Sequence, residues 1–450
     1  MNTSDKMQTT CGSWALLGAV FPREAFIVRQ LRKAGAVVLG HTNMNEWASL
    51  RSTWYSDGYS PRGGQVRNPY DLSRSPFGSS AGSAVAVSTS IVPLTFATET
   101  DGSVAGPAQI NAVVGIKPTP GLTSRDGIIP TSETMDTVGP MARSVRDAAI
   151  GLDSIVGTDT RDSLTESADV HREADYSKFV STKEVLKGAK FGLPIKGAWS
   201  FVSDDQREVA QVILDGIKQA GAEIFEVDYP SADDRIAPNG KWDWELGGPS
   251  QSEFTVVKVE AYNGISNYLS ELSNTEIRTF EDIIHFNEEN TGTEGAKKGG
   301  HPAFATGQDI FVKIAEHKGQ KDQTYSDALE YIRRKTREEG IDGALRHVTK
   351  DGVEIQLDSL ILCDWRLVGQ QIAAQAGYPT ITLPIGVDKD GMPIGLTLQQ
   401  TAWKEGPLIK WGSAIEDVRN DLVGGRSLPT YRDHLAKNIP IGRKHIVAAT

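Results

Sequence analysis

A chain of 450 residues with 47 lysines and arginines against 58 aspartates and glutamates has a formal net charge of -11 and an isoelectric point near 5.3. That acidic balance argues against broad binding to nucleic acid or anionic membranes. Two cysteines, Cys11 and Cys363, suit neither a disulfide framework nor a cysteine-rich metal site, and no apolar run reaches membrane-spanning length.

The opening Met1 to Ser13 is polar and without period, so it reads as loop, neither signal peptide nor transit segment, in a cytoplasmic protein. Pro22 to Gly35 is predicted as a helix with Pro22 near its start and Ile27, Leu31 and Ala34 on one stripe. Ala36 to Gly40 is all apolar and reads as a buried parallel strand. Arg51 to Ser75, rich in Gly, Pro, Ser and Arg, is loop.

Ser75 to Pro107 organises the chain. It sets two small-residue turns bearing serines, Gly78-Ser79-Ser80-Ala81-Gly82 and Thr100-Asp101-Gly102-Ser103, on either side of a helix (Ser83 to Ile91) and a strand (Val92 to Ala97). Glycines beside serines suit acyl transfer, because backbone N–H groups must approach a carbonyl oxygen that develops negative charge. Thr100, Asp101 and Gly102 lead directly into Ser103, which makes Ser103 the natural nucleophile. A serine hydroxyl needs a neighbour to take its proton, and Ser79 is placed to relay it. Gly78-x-Ser80-x-Gly82 also has the spacing of a nucleophile elbow, but that motif needs a strand before it and Asp71 to Pro76 is none. The loop lacks the Gly-Lys-Ser/Thr ending of a phosphate-binding loop, and the eight histidines show no metal-ligand spacing. No metal or cofactor is expected.

Beyond the second turn, Val113 to Lys117 reads as strand, Ser144 to Val156 as helix, Asp159 to Lys183 as polar surface and Lys190 to Pro194 as strand. Ser203 with Gln206 is a capping-box signal ahead of a helix marked by Val209, Ile213, Ile217 and Ala220, and Glu223 to Val227 follows as strand. From Pro230 to Asp351 the chain turns to polar helices and loops. Val257, Ala261, Ile265, Leu269 and Leu272 form one stripe, Tyr325, Ala328, Leu329 and Ile332 another, and Asn287 to Gly300 between them reads as a mobile loop. Residues 230–351 are therefore expected to be a mainly helical insertion or cap within a single domain spanning 1–450, shaping substrate choice. Leu357 to Leu362, Thr380 to Pro384 and Ile394 to Leu398 resume the sheet, Trp403 to Asn420 closes the fold as a helix, and the tail is polar.

The two serine turns, with Asn43-Met44-Asn45-Glu46-Trp47, Gly115-Ile116-Lys117-Pro118-Thr119, Asp136-Thr137-Val138-Gly139-Pro140-Met141 and Gly377-Tyr378-Pro379, resemble the amidase signature hydrolases over nearly the whole chain, and the fungal members most. The resemblance implies an α/β fold, a single large mixed sheet covered by helices on both faces, here without the usual N-terminal helices. It implies a triad of nucleophilic serine, bridging serine on a cis peptide bond, and neutral lysine. By motif, Ser103 matches the nucleophile and Ser79 the bridging serine. The turn from Thr100 through Asp101 and Gly102, with Ser80, Gly78 and Phe77, forms the oxyanion and substrate-binding surround.

The family lysine precedes a segment resembling Asp5 to Ser13, so its aligned position falls upstream of Met1; Lys6 and Lys117 match other family positions. Phe77 stands where relatives usually carry glycine. The expectation is an amidase-type hydrolase of C–N bonds in a small-molecule amide, acting through an acyl-enzyme on Ser103, with hydrolysis impaired for want of the lysine. The alternative is a repurposed pocket for ligand binding or non-hydrolytic chemistry in fungal small-molecule biosynthesis. The expected partner is a small amide or acyl ligand, with no nucleic acid or membrane, and self-association through an exposed sheet edge is plausible.

Overall fold

Eight strands with branched and apolar residues on both faces align into one mixed sheet: β1 (Leu94–Glu99), β2 (Val114–Lys117), β3 (Thr137–Ala142), β4 (Lys190–Pro194), β5 (Glu223–Val227), β6 (Ser359–Leu362), β7 (Thr380–Val387) and β8 (Pro393–Gln399). This computed structural model describes residues 1–363 and 368–431. The spatial order is β1-β3-β2-β7-β8-β6-β4-β5. Pairing is antiparallel from β1 to β6, whereas β6–β4 and β4–β5 are parallel. The connections explain the difference. β7 and β8 are joined by a tight turn at Asp388 to Gly391, which leaves them antiparallel. β4 and β5 are joined by a crossover helix, Asp204–Gln219, as a parallel pair requires.

That helix starts at Ser203, whose hydroxyl accepts from the Gln206 amide while the Gln206 side chain accepts from the Ser203 amide, the predicted capping box. Its Ile213 and Ile217 are fully buried against the sheet with Phe191, Leu360, Ile381 and Leu396. Each such side chain contributes about 1.5–3 kcal/mol by leaving water. A second core lies among the helices Glu253–Glu271, Phe280–Glu289, Asp309–His317 and Gln323–Thr336. The predicted stripe from Val257 to Leu272 is buried there throughout. Trp47 and Leu16 from the N-terminal part join this core.

Several expectations are corrected. Ala36 to Gly40 is not a strand; no neighbouring strand takes up its backbone, and Val37 and Leu39 are 82% and 72% exposed. The first helix runs only from Phe26 to Lys33, with Pro22 in the loop before it, because Ala25 holds an extended ψ of 143°. Val28, not Ala34, completes its buried stripe. Asn287 to Gly300 is no open loop. The helix continues to Glu289, Asn287 is buried and donates to Gln308 at 3.0 Å, and Glu294 is buried in an ion pair with Arg51. Within the polar stretch Asp159 to Lys183, Asp159, Asp162, Thr165 and Tyr176 are buried. The polar tail beyond Tyr431 lies outside the described residues. No described helix is long and apolar enough to cross a membrane.

Candidate active site

The two serine turns meet at the end of β1. The Ser80 amide donates to the Ser103 carbonyl at 3.4 Å, and the Ser80 hydroxyl donates to the Thr98 carbonyl at 3.1 Å. The peptide bond between Gly78 and Ser79 is cis. Asn45 clamps this turn from behind: its amide donates to the Ser79 carbonyl at 3.0 Å, and its side-chain Nδ2 bonds Ser49 and Asp57. A Cβ on Gly78 would stand 2.0 Å from that Nδ2, so only glycine fits. Phe77, at φ +58°, donates from its amide to the Ser75 hydroxyl, which itself donates to Asp57.

The second turn is shaped by Glu99 and Gly102. Glu99 accepts from the amides of Val104 at 2.6 Å and Ala105 at 2.9 Å, fixing the start of the Ala105–Ile110 helix. Gly102 takes φ +71°, open to glycine at little cost. Among the described residues the N–H groups of Asp101, Gly102 and Ser103 have no acceptor. Three unengaged donors in one turn ending at a serine are the groups a developing oxyanion needs.

Thr100 donates its hydroxyl to Asp136 at 2.5 Å, and Asp136 also accepts from the amides of Thr131 and Ser132 at 2.7 and 2.8 Å. Burial pushes the Asp136 carboxyl up to about 6 against these hydrogen bonds. The Asp101 side chain turns away to accept from the Trp242 indole N–H; its burial and the nearby charge of Glu253 hold it well above the usual carboxylate range. Glu253 is itself held by Gln371 and Gln375 at 2.9 and 3.0 Å.

A cavity of about 430 Å³ opens over both turns, lined by Ser79, Ser103, Thr98 and Thr100 at its floor. Trp47, Pro130 and one face of the Glu253–Glu271 helix form its walls. This is the size of pocket that holds a small-molecule ligand. Of the eight candidate residues, Ser103, Ser79 and Thr100 line it. Asp101, Gly102, Ser80, Gly78 and Phe77 stand behind it as the framework of the two turns. The Ser79 hydroxyl is buried and has no hydrogen-bond partner among the described residues, so it is not bonded to Ser103. Lys117 is buried elsewhere, its Nζ donating to the Tyr378 carbonyl at 2.8 Å. Cys11 lines the cavity wall, and burial pushes its thiol up to about 12.

Sequence reasoning named Asp136 only as part of a motif and missed Trp242, Glu253 and Glu260. The polar residues Glu260, Asn263, Asn267 and Glu271 recur at three- and four-residue steps beside the apolar stripe of the same helix, a signal for a second working face.

Residues 1–291 match the family model described as Amidase. A Schizosaccharomyces pombe protein named "putative amidase" is 46% identical over 443 residues, covering 98% of this chain and 75% of that protein. An Arabidopsis thaliana protein named "probable amidase" is 35% identical, covering 93% and 75%. Among solved structures, native peptide amidase from Stenotrophomonas maltophilia superposes with a TM-score of 0.81 at 35% identity, covering 96% of this chain and 82% of that one. The chain belongs to the amidase family, whose members hydrolyse C–N bonds.

Proposed function

We propose that the protein cleaves a small-molecule carboxamide through an acyl-enzyme on Ser103. The observation that carries this reading is a turn whose N–H groups have no acceptor among the described residues and which ends at Ser103, a residue that lines one cavity together with Ser79. Ser103 Oγ attacks the carbonyl carbon, and the oxyanion falls to the amides of Asp101 to Ser103. The Ser79 hydroxyl carries the proton from Ser103 to the leaving nitrogen, ammonia or an amine departs, and water releases the acid. Residues 230–351 act as the cap, contributing the Glu253–Glu271 wall that shapes substrate choice. A dipeptide-sized amide fits the cavity volume and agrees with the peptide amidase likeness. The acidic composition goes with a cytoplasmic setting.

The 450-residue chain is expected to turn over slowly. The Ser79 hydroxyl has no basic partner, and among the described residues no lysine lines the cavity. Losing one member of a catalytic unit costs about 10⁴-fold or more in rate. The same observation favours a second reading, binding without turnover. Hydrolysis of primary amides and aryl esters, followed by product release, tests both. Slow turnover that Ser103→Ala abolishes supports the first reading. Tight binding with no product supports the second, and turnover at full amidase rates, or turnover indifferent to Ser103→Ala, overturns the respective claim.

A further inference from the structure

The charges around the cavity are unequal: six carboxylates line it against three guanidiniums, and no lysine among the described residues. Pairing leaves an excess on the inside. Arg23 is engaged by Asp126 at 2.6 Å and by Glu271, and Arg125 by Asp162 at 2.7 Å. Glu133 pairs outward with Lys321 at 2.8 Å, while Arg161 stands exposed at the mouth.

Glu260 and Asp136 remain. Glu260 is 2% exposed and accepts only from uncharged donors, the Ser132 and Thr134 hydroxyls, the Thr134 amide and, at 2.9 Å, the Tyr325 hydroxyl. Asp136 is held in the same way by Thr100, Thr131 and Ser132. Among the described residues neither has a cation within 4.0 Å; Arg333 is near Glu260, and Arg125 near Asp136, only at longer range. Hydrogen bonds from neutral donors hold a carboxylate in place without cancelling its field, and a water-poor concave wall focuses that field on whatever enters.

We infer that this wall selects for positive charge: the preferred substrate is an amide whose acyl portion carries a cationic side chain, and amides bearing a carboxylate are rejected. The inference rests on the amide-site reading above and adds the substrate class to it.

Binding tests it without requiring turnover. Nα-acetyl-argininamide, its neutral isostere Nα-acetyl-citrullinamide and the α-amide of Nα-acetyl-glutamic acid are titrated by calorimetry at low salt and neutral pH. The arginine compound is expected to bind about tenfold more tightly than the citrulline compound, and the glutamate compound more weakly than either. Glu260→Gln, which keeps an acceptor oxygen, is expected to shrink the arginine-to-citrulline ratio severalfold. If that variant does not fold, the wild-type ratio is measured at rising salt, where it is expected to fall. Equal binding of the three amides, or preference for citrulline or glutamate, overturns the charge selection and leaves the amide site standing. Binding of none overturns the amide-site reading itself.

Discussion

Arg51 ties the Glu46–Ser49 segment, whose Trp47 lines the cavity, to Glu294 in the helical region, and removing its charge should be costly in a pH-dependent way. Its side chain is 1% exposed, lies 4.1 Å above the Phe304 ring, and pairs with Glu46 and Glu294, both fully buried. Burial pushes Glu46 up to about 8 despite Arg51. Arg51→Met keeps the volume and deletes the charge. Breaking a buried pair in this way costs about 3–5 kcal/mol. The sign with pH follows from proton binding: a carboxyl whose folded pKa is raised binds more protons in the native state, so its contribution is fully present below the unfolded value of about 4.3 and is lost as pH rises through about 8. Without Arg51 the cation that favours the ionised form of Glu46 is gone, so its folded pKa rises further. The variant's loss should therefore be smaller near pH 5, where this carboxyl holds its proton, and larger above pH 8, where it must give the proton up. Urea unfolding followed by tryptophan fluorescence at the two pH values measures both losses. A loss below about 1 kcal/mol above pH 8, typical of an exposed pair, or the same loss at both pH values, would contradict this.

Three further outcomes follow from the site. The rate of Ser103 acylation should rise with pH through about 6 as Asp136 ionises and anchors Thr100, and Asp136→Asn should flatten that limb in a pH–rate profile. Gly78→Ala should destabilise the fold by about 1–3 kcal/mol through its clash with Asn45, read as a lowered urea midpoint. Cys11, held near 12, should resist alkylation at pH 8 in the native protein and react only on unfolding, as peptide mass spectrometry would show.

What the sequence made legible was what local chemistry dictates. The Ser203–Gln206 cap, the Val257 to Leu272 stripe and the turn between β7 and β8 depend on neighbours a few residues away, and they stand as expected. The two serine turns were expected to face one another across a helix and a strand, and the Ser80 amide bonds the Ser103 carbonyl. Ala36 to Gly40 failed because an apolar run reads the same whether or not a partner strand receives its backbone. Asn287 to Gly300 failed because its order comes from Arg51 and Gln308, distant in sequence and invisible to composition. Trp242 and Glu253 escaped for the same reason: each reaches the second serine turn through Asp101, across more than a hundred residues of sequence.

The proposed reaction rests on Ser103 as the acyl acceptor. Incubating the protein with a p-nitrophenyl ester, quenching in acid and mapping the added acyl mass by peptide sequencing tests it without needing a fast second step. The acyl group should be found on Ser103 and vanish in Ser103→Ala; an adduct on Ser79 or Cys11, or one that persists in Ser103→Ala, would contradict it.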